Sequence, residues 1–365
     1  MRRPLSTVLV LVGLALTALV SSLGALAVGA VPCGVFGVQP RCQVAILPGP
    51  AEDTLGLVTL DGATTYPASG QLLLTTIAVR DDLELSTWWE ARRTRGVATV
   101  ARETVFPAGA DRGQVVEQNA MLMSDSQSTA ALAALGATGF DVASAARGAR
   151  IAEVSDDAAT DELAVGDVVT AVDGDPVREA VEVVEAVADR APGEEVTLAV
   201  DAVDGAARDV VVTLAAAPDD QRRAYIGVLL ATELELPVEV SIDAGVIGGP
   251  SAGLMFALAV VELLEAEDLT DGAVVAGTGT IDVEGRIGPV GGVRQKVVGV
   301  TTREGGAPPA TVFLVPRDNL PDVHRAPVAS DVTVVPVDDL TGALEALEEL
   351  RAGGRPDGTV LLTAD

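Results

Sequence analysis

Two residues in this chain have types and surroundings suited to acid–base chemistry. Lys296 is the only lysine in 365 residues, and every other member of the 24 Lys and Arg residues is arginine. An ammonium can be shifted until it gives up its proton near neutral pH, whereas a guanidinium keeps its charge. A lone lysine in an arginine background therefore suits a general base, although a surface lysine that escaped a compositional bias would look the same. Ser251 stands in Gly248-Gly249-Pro250-Ser251-Ala252-Gly253, a turn-forming run directly ahead of Leu254, Met255, Phe256, Leu258, Val260, Val261, Leu263 and Leu264. That stretch is apolar on most of its circumference and predicts a buried helix. Backbone N–H groups at the start of such a helix lack intrahelical partners and can hold an oxyanion. The serine could equally be an ordinary N-cap.

The lysine needs an element of its own. It closes Gly285-Arg286-Ile287-Gly288-Pro289-Val290-Gly291-Gly292-Val293-Arg294-Gln295-Lys296, a glycine-punctuated loop entering a further helical stretch. Gly249-Pro250-Ser251-Ala252-Gly253, Thr278-Gly279-Thr280-Ile281 and Pro289 to Lys296, in that order, resemble the proteolytic domain of the Lon family, most densely from Ile242 to Pro316. The resemblance implies a Ser–Lys dyad protease on an α/β (α+β) fold. Ser251 would be the nucleophile, Lys296 its base, Thr278 the residue orienting the lysine, and Asp243 a supporting carboxylate upstream. The N–H groups of Ser251 and Ala252 would stabilise the tetrahedral intermediate. No cofactor and no metal are implied, and the expected partners are protein or peptide substrates, with a homo-oligomer left open.

The chemistry sets a condition on the lysine. Serine is a weak nucleophile until a base takes its proton, and a free lysine titrates near ~10.4. Burial without a carboxylate partner lowers that value, by about 3–5 units when complete.

Two other readings stay open. Gly249 to Gly253 also fits the G-x-S-x-G elbow of α/β-hydrolases, whose histidine follows an acid downstream; His324, the only histidine, follows Asp318 and has Asp322 beside it. Against this, no hydrophobic strand feeds straight into the elbow. A non-catalytic PDZ scaffold is the third reading, and it leaves the lone lysine without a task.

The N-terminus reads Met1-Arg2-Arg3-Pro4 and then has no charged residue until Arg41. Residues 5–31 are long and apolar enough for a transmembrane helix, and the leading arginines predict that the N-terminus stays inside. A cleaved signal peptide ending near Val28-Gly29-Ala30 is the rival; the length of the run favours an uncleaved anchor. The expected location is the cell membrane, single-pass, with the body on the extracytoplasmic side. Cys33 and Cys42 follow and could close a small loop on that oxidising side. Two cysteines and one histidine make a poor zinc set.

The formal net charge of −29 makes nucleic acid an unsuitable partner. With aromatic residues at 2%, the core must be aliphatic. Leu57 to Leu60 and Leu72 to Val79 read as strands, and Gln114 to Leu135 as a helix, weakly similar to the start of the Lon proteolytic fold. Trp88-Trp89 with Arg92, Arg93 and Arg95 could form an exposed membrane-facing patch; buried tryptophans are the favoured reading.

Between these segments, Leu163-Ala164-Val165-Gly166-Asp167-Val168-Val169-Thr170-Ala171-Val172-Asp173-Gly174 closely resembles a PDZ domain, flanked by a strand at Ile151 and strands at Val196 and Asp209. Such domains take an extended peptide as an added strand. No Gly-Leu-Gly carboxylate-binding loop precedes Ile151. A P-loop needs Gly-Lys-(Ser/Thr), and the only lysine is followed by Val297, so these residues hold no ATPase motif. The chain thus divides into a cytoplasmic start (1–4), a transmembrane anchor (5–31), a linker (32–54), a first part of the protease fold (55–140), a β-rich PDZ-like insert (141–218), the Lon-type proteolytic domain (224–352) and a loose tail (353–365).

Overall fold

The computed structural model describes residues 13–21, 42–107, 112–142, 145–155, 158–217, 220–236, 238–245, 247–302, 307–324 and 326–364. The chain forms two compact units, one made of residues up to Thr138 and from Val240 onward, the other of Gly139–Glu239.

β1 (Gln43–Asp53) contains Pro48-Gly49-Pro50, and the sequence reading left it in a linker. It is a strand all the same, antiparallel to β2 (Gln71–Arg80) on one side and to β3 (Ala98–Ala101) on the other. Its register against β2 shifts between Pro48 and Ala51. A bulge is where a strand inside a sheet tolerates proline, which has no N–H to donate. Leu72, Leu73 and Leu74 of β2 are all fully buried. Strict alternation fails there because both faces of this part of the sheet are covered. Leu72 and Leu74 join one hydrophobic cluster, and Leu73, pointing the other way, joins a second. The 26-residue helix α1 (Arg112–Ala137) follows, with Met123, Ala130, Ala133 and Ala134 buried.

The inserted unit is an antiparallel sheet built from β4 (Ala146–Val154), β5 (Val168–Val172), helix α2 (Ala180–Ala188), β6 (Glu195–Asp201), β7 (Ala207–Thr213) and β8 (Val228–Leu234), ordered β8-β4-β5-β6-β7. Its core is aliphatic, from Ile151 to Leu198 and Val212. A capping box from Glu179 and Glu182 starts α2. Asp167, 1% exposed, accepts N–H groups of Ala164 (3.0 Å) and Val203 (3.1 Å) and pairs with Arg208 at 2.7 Å. The sequence places Val228–Leu234 (β8) at the start of the proteolytic domain, 224–352, and in the structure this strand also closes the inserted sheet. It pairs with β4, Val228 opposite Val154 and Leu234 opposite Ala146.

The first unit resumes with α3 (Gly253–Leu264), β9 (Val274–Gly277), α4 (Val293–Thr301), β10 (Val312–Pro316), β11 (Val332–Val337), α5 (Leu340–Arg351) and β12 (Val360–Leu362). Its main sheet has seven strands in the order β12-β11-β10-β9-β2-β1-β3. The pairs from β11 through β2 are parallel, and β12, β1 and β3 are antiparallel additions. Side chains of α1, α3 and α5 share one hydrophobic cluster with Leu72 and Leu74, whereas those of α4 share the other with Leu73. The result is a layered mixed α/β unit. One smaller expectation fails here. The tail is not loose throughout, because β12 completes the sheet edge. Helix α5 is capped by Asp339, whose carboxylate accepts the Gly342 N–H.

Residues 13–21 are helical, and the rest of the expected anchor lies outside the described residues. No helix among the described residues is long and apolar enough to cross a membrane. Cys42 is disulfide-bonded; Cys33, the other cysteine, lies outside them.

Candidate active site

Every residue from Gly253 to Val261 of α3 is an apolar or glycine residue with 2% exposure or less, or is otherwise buried. Full burial of a Leu, Val, Phe or Met side chain contributes about 1.5–3 kcal/mol, so this helix is a fixed post for the loop ahead of it. The loop turns at Gly249, whose φ of 90° suits glycine. Pro250 then opens a short 3-10 turn through Ser251 and Ala252. Gly253 must be glycine because a Cβ there would lie 2.8 Å from Ile281 Cγ2 and 2.9 Å from Ser126 Oγ. Helix α1 grips the loop from outside: Asn119 O accepts the Gly249 N–H at 2.8 Å, and Ser126 Oγ donates to Pro250 O at 3.1 Å.

Lys296 sits in the first turn of α4, its N–H bonded to Gly292 O. Asn319 fixes the loop before that helix, accepting the Val290 N–H at 2.7 Å and donating to Val290 O at 3.1 Å. The side chain of Lys296 is thereby carried into the unit, 2% exposed. Its Nζ lies 2.6 Å from Ser251 Oγ and donates to Thr278 Oγ1 at 2.8 Å. Thr278 spends its own proton on Ser251 O, at 3.0 Å, and the Gly279 N–H donates to the same carbonyl. Thr278 is itself 0% exposed, at the end of β9. One hydroxyl thus holds both the amine and the backbone of the serine.

Burial lowers the Lys296 pKa from its ordinary value to about 7. No carboxylate forms a salt bridge or hydrogen bond with it among the described residues. The ammonium therefore has hydroxyl partners and no counter-charge, and the neutral amine is accessible near neutral pH. Ser251 and Ala252 lie at the N-terminal end of α3, where their N–H groups can face an oxyanion.

The expected residues are not all brought together. Ser251, Lys296, Thr278 and Ala252 converge. Asp243 does not join them: it is exposed, its N–H bonds Leu57 O, and its carboxylate accepts the Gly245 N–H at 2.9 Å, an Asx turn at the start of the loop. His324 is exposed after a short helix, and no strand leads directly into Ser251. Among the described residues no group of His, Cys, Asp or Glu is arranged to hold a metal ion. Sequence reasoning missed Asn119, Ser126 and Asn319, which brace the two loops.

Comparison with known proteins gives this geometry a context. Residues 226–349 match the Lon protease (S16) C-terminal proteolytic domain, and residues 136–214 match a PDZ domain. The Lon protease of Frankia alni is 37% identical over 142 residues, which is 34% of this chain and 15% of that protein. Lon protease 2 of Herpetosiphon aurantiacus is 38% identical over 98 residues, covering 26% of this chain and 11% of that one. The chain thus spans less than a sixth of the length of these relatives. A crystal structure of the PDZ domain of the SdrC-like protein from Listeria innocua is 20% identical, covering 23% of this chain and 92% of that one at a TM-score of 0.21. A serine endopeptidase domain of the Lon (S16) type and a PDZ domain are therefore both present.

Proposed function

We propose that this chain, with its Lon-type serine endopeptidase domain and its PDZ domain, is a membrane-anchored protease that cleaves flexible or unfolded proteins without ATP. One observation carries the chemistry: a buried lysine amine 2.6 Å from Ser251 Oγ with no carboxylate bonded to it among the described residues. Neutral Lys296 takes the Ser251 proton as Oγ attacks the scissile carbonyl. The N–H groups of Ser251 and Ala252 receive the developing oxyanion, each worth roughly 3–4 kcal/mol in comparable sites. The lysine then gives its proton to the leaving amine, and water repeats the cycle on the acyl-enzyme. A serine-reactive probe tests this directly. It should label the full chain at Ser251 and fail on Ser251→Ala and Lys296→Arg, while His324→Ala labels normally. Loss of labelling in the histidine variant alone would favour the hydrolase reading.

Support for substrate recruitment by the PDZ unit comes from β8, which among the described residues has a strand partner on one side only. An extended substrate segment can add to such an edge by main-chain hydrogen bonds. Removing Gly139–Glu239 behind a short linker should then weaken cleavage of proteins more than of short peptides. The ATP independence rests on the missing P-loop in these residues. The location rests on Arg2 and Arg3 ahead of the apolar run 5–31. Protease added to intact protoplasts should digest the body; complete protection would remove the extracytoplasmic assignment.

A further inference from the structure

The helix Leu85–Ala91 and the turn after it carry an arrangement that the proteolytic reading does not use. Trp88 and Trp89 are the only tryptophans of the chain. Their ring centroids are 6.3 Å apart. Trp88 packs on Ala45, Leu83 and Ala91, and its indole N–H donates to Gln43 Oε1 at 2.7 Å. Trp89 projects instead, 51% exposed, beside Leu85 at 45%. Each indole face carries a guanidinium one helical turn on: Arg92 lies 5.0 Å from the Trp88 ring and Arg93 4.4 Å from the Trp89 ring. With Arg95, also exposed, three arginines occur from Ala91 to Ala101 without one acidic residue, in a chain of net charge −29.

We infer that this face docks on an anionic lipid surface. Exposed indole beside leucine suits the boundary between headgroups and acyl chains, where tryptophan concentrates. Arginines stacked on the indoles would pair with lipid phosphates at the same depth. Charge favours this occupant: the body as a whole is acidic and would be repelled from such a surface. Glu84 and Glu90 border the helix, but the three exposed arginines that follow the indoles give this face a local run of positive charge to turn toward it. Position agrees: Trp88 is tied to Gln43, 12 residues beyond the end of the proposed anchor at Val31. A chain of that length reaches about 40 Å at most. The inference extends the anchored reading and adds a contact on the outer surface.

The two tryptophans make the test specific, since intrinsic emission reports this face alone. The full chain is reconstituted in phosphatidylcholine vesicles and in vesicles of equal parts phosphatidylcholine and phosphatidylglycerol. In the anionic vesicles the emission should shift to shorter wavelength and be quenched by lipids brominated near the headgroup. Both effects should vanish in Arg92→Gln/Arg93→Gln/Arg95→Gln, which alters exposed side chains only, and in about 1 M salt, where screening acts within about 3 Å. Trp88→Phe leaves Trp89 as sole reporter and should keep the shift. Emission that is identical in the two vesicle types would overturn the inference, as would a dimer in detergent that the triple substitution dissociates, because the face would then bind a second copy. Flotation with pure phosphatidylcholine vesicles reads the anchor separately. Flotation there without any anionic shift leaves the anchor and removes the docking face; flotation only with anionic vesicles leaves the docking face and removes the anchor.

Discussion

Asp167 and Lys296 are both buried ionisable residues, one in each unit, and their surroundings are opposite. Asp167 accepts two backbone N–H groups and the Arg208 guanidinium. Lys296 has two hydroxyls and, among the described residues, no counter-ion. A buried charge whose lone pairs are all answered holds a turn together, and removing it leaves its donors stranded. A buried charge that is left unanswered costs the fold something and keeps its proton loosely. The first arrangement serves structure and the second serves reaction. Thr278 makes the second arrangement usable, because it fixes the amine without charging it.

The largest effect expected from this contrast is on rate. Lys296→Arg should reduce peptide cleavage by about 10²–10⁴-fold, the range of general-base catalysis, and a fully active variant would break the contrast at its centre. A pH profile sharpens it: with the lysine near 7, cleavage should rise with pH through that value and level off above it. Stability gives the next effect. The folded pKa of Lys296 lies below its unfolded value of 10.5, so the unfolded chain binds more protons between the two. The wild type should therefore gain stability from about pH 7 to 10.5, by at most ~5 kcal/mol. Lys296→Met should be flat over that window and more stable than wild type at pH 6, as read by urea unfolding.

Asp167→Ala should cost about 3–4 kcal/mol while short-peptide cleavage persists. Abolished cleavage with the fold intact would mean that the aspartate serves the reaction after all. The smallest effect belongs to Glu262 on α3, a case between the two. It is 2% exposed, one carboxylate oxygen accepts the Leu269 N–H, and Oε1 has no hydrogen-bond partner among the described residues. Burial raises its pKa to about 7, against the Leu269 hydrogen bond, with Asp268 nearby adding to the rise. Here the folded pKa lies above the unfolded one, so stability should fall as pH rises from about 4.5 to 7, by at most ~3 kcal/mol. Glu262→Gln should remove that slope in melting curves taken across the window; an unchanged slope would assign it to another group.

The catalytic loop was legible because its residues are close in sequence and rare in type. A lone lysine and a Gly-Pro-Ser-Ala-Gly turn stand out without any knowledge of the fold. Thr278 was legible only through the resemblance, since threonine at a strand end has many ordinary uses. Asn119 and Ser126 were not legible, because nothing local marks a helix residue that will meet a loop 124 positions on. The same limit explains β8. The sequence puts residues 224–352 in one domain, but a strand's sequence does not name its partner. β1 was lost to its prolines, which a bulge absorbs. Trp89 shows the converse: a large aromatic side chain reads as core until the structure leaves it outside. Asp243 was an acidic residue in the right region that caps its own turn.

The split of the first unit has a consequence for the birth of the enzyme. β2 lies ahead of the insert and pairs with β9 behind it, Leu74 opposite Gly277. Helix α1, also ahead of it, holds the serine loop through Asn119 and Ser126. Thr278 in turn takes its backbone anchor from Leu314 O. A chain still emerging from synthesis, with residues up to the insert folded, contains neither dyad member in place, and domains fold as they appear. Nucleophile and base become competent only when the C-terminal segment returns to a platform completed much earlier. A growing chain thus lacks the assembled Ser251–Lys296 site until it is nearly whole.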